Sequence, residues 1–259
     1  MTLVQADTVW HDAGANRDQL ARMMRAETSA TDLFVLPETF STGFSNEAVA
    51  TAEGMDGETA RWLLDTARAL DAAITGSVQL RVGDRVFNRL LWAEPDGTLR
   101  HYDKRHLFRM AREQDHYAAG RERLVVEFRG WRICPLVCYD LRFPVFSRNR
   151  VRDGGVLDFD LLVYVANWPA PRLEAWRTLL RARAIENLCF VAGVNRCGTD
   201  GNGHPYRGGS ALVDALGGTL VESDDAPGTM HHALSLSALR EHRRRFPAHL
   251  DADGFTLEE

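Results

Sequence analysis

The order of apolar segments constrains the fold of this chain more than any other sequence feature. The chain opens with an alternating segment, Thr2 to Trp10, which predicts a β-strand, and an amphipathic helix follows from about Ala15 to Ala26. Asp32 to Leu36 is then a continuous apolar run, typical of a strand buried on both faces. A strand, a helix and a buried strand in succession predict an α/β layer.

Later segments add antiparallel neighbours. Glu58 to Ala73 has the apolar spacing of a helix, and Gly83-Asp84 joins two strands, Thr75 to Val82 and Val86 to Glu94. The second half repeats this scheme. A helix is predicted at Arg172 to Asn187, and strands are predicted at Phe159 to Ala166, Leu188 to Asn195 and Met230 to Leu236. We therefore predict an α/β fold in which two mixed sheets pack face to face with helices outside.

Length and charge set outer limits on function. At 259 residues, with no internal linker, the chain can bury a large core, and we expect one domain, residues 1–259, with a C-terminal tail from about residue 237. Lysine and arginine total 31 against 36 acidic residues, a net charge of −5, so no general basic field favours nucleic acid or an anionic membrane. The basic cluster Arg240 to Arg245 is interpreted as a solvated helix face.

The cysteines and the N-terminus predict a reducing compartment. Met1 to Trp10 does not resemble a signal peptide, and no apolar run is long enough to span a bilayer. The four cysteines are therefore expected to be free thiols in a cytoplasmic protein. The spacing of Cys134 and Cys138 fits neither a CxxC redox pair nor a usual zinc site, so no metal and no cofactor is expected.

One strand of the second half ends in a cysteine. Trp131 to Val137 is apolar and rich in β-branched residues, and polarity begins abruptly with Tyr139 and Asp140. Pro144 suits the first turn of a short helix, so Cys138 is predicted to stand at a strand-to-helix turn. The positive end of a helix favours the thiolate, which is the reactive form of cysteine. The competing interpretation is a small core residue, which cysteines in apolar runs most often are.

Three other residues have ionisable side chains suited to catalysis, and two of them lie at the ends of strand-like segments. Glu38 stands where the strand Asp32 to Leu36 stops, Lys104 follows the segment Leu99 to Asp103, and Glu113 lies in an irregular charged stretch. Taken singly, each is more simply explained as a surface acid, a helix cap or a solvated lysine. Their combination is what indicates function.

Three separated strings together resemble the nitrilase, or carbon-nitrogen hydrolase, superfamily. They are Leu-Pro-Glu38-Thr-Phe, Tyr-Asp-Lys104-Arg-His-Leu-Phe and Val-Cys138-Tyr-Asp-Leu-Arg-Phe-Pro, and the resemblance extends from the first strand to Leu236. It implies a four-layer α-β-β-α sandwich, usually paired into homodimers through the sheet-flanking helices, with a Glu-Lys-Cys triad. The residues around Lys104 and Cys138 are most similar to the omega-amidase branch, which hydrolyses the terminal amide of small 2-oxo dicarboxylate monoamides such as 2-oxoglutaramate.

This resemblance assigns roles that chemistry supports. A neutral thiol attacks amides poorly, so Cys138 needs a base, and Glu38 can supply it. Lys104 and the backbone N–H of Tyr139 are expected to hold the oxyanion of the tetrahedral intermediate. Glu113 matches a further family glutamate, with a structural ion pair as the equal alternative.

The remaining pocket residues are predicted less directly. Arg142 is expected to pair with a carboxylate of the protein, although a bidentate grip on the substrate's acid group stays open. Tyr117, Phe44 and Trp168 are expected to line the pocket, and aromatic core packing is the alternative.

Other functions stay open at this stage. A nitrile, an N-carbamoyl amino acid or another small amide would suit the same fold, and the loop Gly198 to Gly209 is among the segments that would decide. A non-catalytic binding protein on this scaffold is disfavoured because Glu38, Lys104 and Cys138 are all present. A redox or metal protein is disfavoured because the sequence has no CxxC and its histidines and cysteines are scattered.

Overall fold

The computed structural model describes residues 1–257, so the last two residues of the predicted domain and tail lie outside the described part. The strands are β1 (Thr2–Gln5), β2 (Leu33–Val35), β3 (Ala73–Val82), β4 (Arg85–Ala93), β5 (Leu99–Asp103), β6 (Val126–Phe128), β7 (Trp131–Val137), β8 (Val151–Arg152), β9 (Val156–Leu157), β10 (Leu161–Ala166), β11 (Phe190–Asn195), β12 (Cys197–Thr199), β13 (Pro205–Arg207), β14 (Ala211–Val213), β15 (Thr219–Glu222) and β16 (Gly228–His231). The helices are α1 (Ala13–Ala26), α2 (Glu58–Leu70), α3 (Leu173–Asn187) and α4 (Leu236–Arg245).

The strands form two six-stranded mixed sheets and two small hairpins. The first sheet has the order β16-β1-β2-β3-β4-β5 and the second the order β15-β14-β11-β10-β7-β6. In each sheet the central strands are parallel and the outer strands are antiparallel. The predicted pair of mixed sheets flanked by helices is confirmed.

Alternation within a buried strand explains the layers. Leu33 and Val35 of β2 belong to the core between the two sheets, together with Val163 of β10. Phe34 points to the opposite face and packs in a second core with α1 and α2, whereas α3 covers the second sheet. A strand buried on both faces needs apolar residues at every position, which is why β2 is a continuous apolar run. Burying one such side chain contributes about 1.5–3 kcal/mol.

Two predicted strands end five residues before their sequence patterns do. β1 ends at Gln5 rather than Trp10, because Asp7 makes only an isolated bridge and the chain then turns into α1. β16 ends at His231 rather than Leu236, because Ser235 caps a helix that begins at Leu236. Among residues 1–257, no helix has the length and apolarity needed to cross a membrane.

The C-terminal segment is more closely packed than predicted. Leu239 of α4 is buried, and Arg243 lies 2.6 Å from the Asp160 carboxylate and donates to the Leu188 carbonyl oxygen. The interpretation of the basic cluster as a solvated face is therefore wrong for Arg243. It is correct for Arg244, whose exposed side chain pairs with Glu241.

Candidate active site

Parallel strands place the key residues together. Glu38 follows β2, Lys104 follows β5, Cys138 follows β7 and Asn167 follows β10. The carboxyl ends of these strands lie at one edge of the two stacked sheets, since the Asn167 side-chain amide donates to the Glu38 backbone carbonyl oxygen at 2.7 Å. The three predicted triad residues and Glu113 are brought together at this edge.

Lys104 lies between two buried carboxylates. Its Nζ atom is 2.9 Å from Glu38 Oε1 and 3.0 Å from both carboxylate oxygens of Glu113, and all three side chains are at most 1% exposed. Burial would lower the pKa of Lys104, but the charges of Glu113 and Glu38 raise it well above its usual range. Burial, and then the charge of Glu38, raise the pKa of Glu113 against the opposing effect of Lys104. Lys104 is therefore a permanent cation in the site.

Cys138 occupies a strained turn. It begins a five-residue 3-10 helix, Cys138–Arg142, and its φ of +45° is a left-handed conformation that costs a non-glycine residue about 1–2 kcal/mol. The thiol lies at the cavity wall, with Sγ 3.9 Å from the Asn167 carbonyl oxygen, and it is near enough to the Glu38 carboxylate for that group to raise its pKa. Pro144 lies after this turn rather than in its first turn.

The resting thiol is protonated. Burial raises the pKa of Cys138 well above its ordinary value, and the Glu38 charge raises it further against the opposing effect of Lys104. This corrects the expectation that a following helix would favour the thiolate. A single 3-10 turn contributes little dipole, and the nearest full charge is a carboxylate. The site therefore holds a thiol with a base beside it.

A cavity of about 540 Å³ opens above these residues. Four predicted pocket residues line it, namely Phe44, Tyr139, Arg142 and Trp168. Glu38, Lys104 and Cys138 reach the same cavity, while Glu113 lies behind Lys104. The volume is typical of sites for small molecules.

Tyr117 does not line this cavity, which corrects the prediction. Its ring is buried, and its hydroxyl donates to the Ser45 carbonyl oxygen at 2.6 Å. Tyr117 therefore packs beneath the segment that carries Phe44 and supports the wall from behind.

Arg142 differs from its predicted role as a structural ion-pair partner. Within residues 1–257 no carboxylate lies within 4.0 Å of its guanidinium, which is exposed and stacks 4.9 Å from the Trp168 ring centroid. Because Arg142 lines the cavity with its charge uncompensated, it is available to an anionic group of a ligand.

The loop between β12 and β13 forms another wall. Asp200 accepts hydrogen bonds from the backbone N–H groups of Asn202 and His204 at 2.9 Å and from the Tyr206 hydroxyl at 3.0 Å. These four residues line the cavity. One carboxylate thus holds the tip of the predicted loop Gly198 to Gly209 in a defined shape.

Sequence reasoning missed three polar residues that organise the site. Asn88 on β4 donates to Glu38 Oε1 at 2.8 Å, and the Asn167 backbone N–H donates to Glu38 Oε2 at 2.7 Å. Asp140, fully buried, accepts from the Val137 N–H at 3.0 Å. No local pattern marks Asn88 or Asn167, which are 50 and 129 residues from Glu38 in the chain.

The fold and the paired carboxylates, lysine and thiol define a hydrolase of carbon-nitrogen bonds. The model of the family "Carbon-nitrogen hydrolase" matches residues 1–244, and this chain belongs to that family. The family predicted from the three sequence strings is confirmed, and the chain is an amide-hydrolysing enzyme.

Particular relatives narrow the comparison. The chain is 50% identical over 258 residues to an omega-amidase of Escherichia coli, covering 99% of this chain and 98% of the relative. It is 32% identical over 250 residues to a 2-oxoglutaramate amidase of Bacillus subtilis, covering 95% of each. A crystal structure of a CN-hydrolase superfamily protein from Xanthomonas campestris, which carries an arsenic adduct in its active site, superposes with a TM-score of 0.97 at 59% identity, over 99% of this chain and 98% of that one.

Proposed function

We propose that this chain is a cysteine-dependent omega-amidase, which hydrolyses the terminal amide of a small 2-oxo dicarboxylate monoamide such as 2-oxoglutaramate to the acid and ammonia. The observation that carries the proposal is the ion pair of Glu38 with Lys104 in the same cavity as the Cys138 thiol, a cavity that also presents the uncompensated charge of Arg142. The names of the relatives at 50% and 32% identity support the same substrate class.

The first chemical step forms a thioester. Glu38 takes the proton of the Cys138 thiol as sulfur attacks the amide carbon, which avoids any need for a standing thiolate. The carbonyl oxygen becomes an oxyanion that Lys104 and the N–H of Tyr139 stabilise, and one such donor is worth about 2.7–4 kcal/mol of barrier. Glu38 then protonates the nitrogen, the C–N bond breaks, and ammonia leaves an acyl group on sulfur.

The second step releases the acid. Water attacks the thioester carbon, Glu38 takes a proton from it, and the same donors hold the second oxyanion. Collapse breaks the C–S bond and returns the proton to Cys138. Glu113 acts through Lys104, because both of its carboxylate oxygens accept hydrogen bonds from the ammonium group and fix its position.

Arg142 supplies the substrate preference in this proposal. A dicarboxylate monoamide ends in a carboxylate, which an arginine can bind through two parallel hydrogen bonds. Trp168 stacks on the guanidinium and holds it in the cavity wall. Phe44, whose ring centroid lies 5.4 Å from Lys104 Nζ, and Tyr139 supply apolar surface for the intervening carbons.

The test is ammonia release from 2-oxoglutaramate, 2-oxosuccinamate, glutamine, an N-carbamoyl amino acid and a nitrile. We expect turnover of the two 2-oxo amides that is lost in Cys138→Ala, with the fold retained by circular dichroism. Cys134→Ala is the matched control, because Cys134 lies on the strand that leads to Cys138 but is fully buried in the core. Activity on another member of the panel alone would reject the substrate and keep the triad.

We also propose that the protein acts in the cytoplasm as a homodimer. Apolar side chains exposed beside each other support the pairing, namely Ile185 of α3 and Leu216 in the adjacent turn, which are 51% and 73% exposed. Analytical ultracentrifugation of the protein and of Ile185→Asp tests it, and a monomeric parent protein would reject it.

A further inference from the structure

The Glu38–Lys104–Glu113 cluster has an unbalanced charge. Two carboxylates share one ammonium, so the ionised cluster carries one net negative charge in a region that is at most 1% exposed. Buried carboxylates without enough positive partners take up a proton instead of staying charged. Hydrogen-bond donors that contact both carboxylates favour the charged form of the cluster and fix its geometry.

Asn88 is placed to supply such donors. Its side-chain amide nitrogen donates to Glu38 Oε1 at 2.8 Å and lies 3.3 Å from Glu113 Oε1, so the two hydrogens of one amide serve both carboxylates. Asn88 is 1% exposed, and its side-chain oxygen has no hydrogen-bond partner within residues 1–257. An amide that leaves its acceptor unpaired in order to donate to carboxylates is unusual in a core.

The strand fixes this arrangement. Asn88 is in the middle of β4, and its backbone carbonyl oxygen accepts from the Lys104 N–H at 3.0 Å. The amide and the lysine thus approach Glu38 Oε1 from the same side. Oε2 faces Asn167, whose carbonyl oxygen is near the Cys138 thiol.

We propose that Asn88 is a positioning residue, whose amide bridges Glu38 and Glu113 and holds the Glu38 carboxylate in the orientation that accepts the thiol proton. The inference rests on the proposed function for its role in turnover. Asn88 does not line the cavity and acts through Glu38 and Glu113. The titratable groups whose pKa the Glu38 charge affects are Lys104, Glu113, Cys138, Tyr117 and Tyr206.

Lys104 supplies a reporter that needs no substrate. Because it is the single lysine of the sequence, protein labelled with ¹³Cε-lysine gives one side-chain resonance, which senses titration of the two carboxylates in contact with it. We expect Asn88→Ala to move the acid-side midpoint of this resonance up by about one pH unit, since a hydrogen bond to the charged form is lost. Asn88→Leu, which has a similar shape but neither a donor nor a titratable group, should move it at least as far.

Asn149→Ala is the control, because Asn149 is a buried asparagine whose amide donates to backbone carbonyl oxygens away from the site. Its resonance midpoint should match that of the parent protein. The acid limb of kcat/KM should move with the lysine resonance in both Asn88 variants. An unmoved midpoint in folded Asn88→Leu would overturn the proposal, whatever happens to activity. If the parent protein releases no ammonia but the Asn88 variants still shift the midpoint, the role of Asn88 is supported and the amidase substrate is rejected.

Discussion

The carboxylate of Asp140 accepts hydrogen bonds from both the backbone N–H and the imidazole of His106, at 3.1 and 2.7 Å. Asp140 lies two residues after Cys138, and His106 lies two residues after Lys104. The Tyr102 hydroxyl donates to the same carboxylate at 2.8 Å. One fully buried side chain therefore joins the turn that carries the thiol to the segment that carries the lysine.

Asp140→Asn should loosen this connection. An amide nitrogen would replace one acceptor oxygen and face a donor, so we expect the free energy of unfolding to fall by about 1.5–3 kcal/mol. The turnover number should fall as well, because Cys138 and Lys104 lose their common anchor. Urea unfolding and ammonia release measure the two effects. Asp115→Asn is the control, since the Asp115 side chain is at the surface, where it contacts Arg112 and Gln114. Unchanged turnover in a folded Asp140→Asn protein would show that the turn holds the thiol in place by itself.

Lys104→Met should leave Glu38 and Glu113 without their shared cation. Loss of an oxyanion donor predicts a fall in kcat of about 10²–10³-fold. Breaking a buried ion pair predicts a loss of about 3–5 kcal/mol of stability at neutral pH.

The pH dependence of the Lys104→Met variant has a defined sign. With the cation gone, the folded protein binds a carboxyl proton more tightly than the unfolded chain does. The loss of stability caused by the unpaired carboxylates is therefore absent below the unfolded pKa of glutamate, about 4.3. It grows as the pH rises above that value. Urea unfolding at several pH values should show the gap to the parent protein widening with pH, and a constant gap would contradict the assignment.

Arg142→Gln should weaken substrates that end in a carboxylate. Loss of a charge-assisted contact of about 1.5–3 kcal/mol predicts a fall in kcat/KM of about 10–100-fold for 2-oxoglutaramate. The kcat/KM for substrates without the distal carboxylate should fall little, because Cys138 and Glu38 are unchanged. Arg22→Gln, at an exposed position on α1, is the control for net charge. An equal loss for acidic and neutral amides would contradict the proposed grip.

The Cys138 thiol should remain protonated in the free enzyme through neutral pH. Its pKa is raised in the folded protein, so above the unfolded pKa of about 8.5 the unfolded chain loses its proton first and stability falls as pH rises. Thiolate absorbance, taken as the difference between the parent protein and Cys138→Ala, should be absent at pH 7. Thiolate at that pH would mean that Lys104, rather than Glu38, dominates the environment of the thiol.

The sequence determined the layers of this fold, because local pattern reports burial directly. The continuous apolar runs of β2 and β10, and of residues 133–137 in β7, required strands covered on both faces, and the polar residues that follow these strands and β5 included Glu38, Lys104 and Cys138. The strand at Trp131–Val137 has the predicted bounds. Strand ends were predicted less well at β1 and β16, where capping and turning override alternation.

Only the tertiary structure decided how the polar residues pair. Asn88 is 50 residues from Glu38 in the chain and Asn167 is 129 residues away, and no local pattern links such positions. The same reason applies to Arg142, which has no carboxylate partner, and to Tyr117, which packs behind the cavity rather than in it. The burial of apolar side chains follows from their spacing along the chain. The ionisation of a site depends instead on charges that only folding brings within a few ångströms of one another.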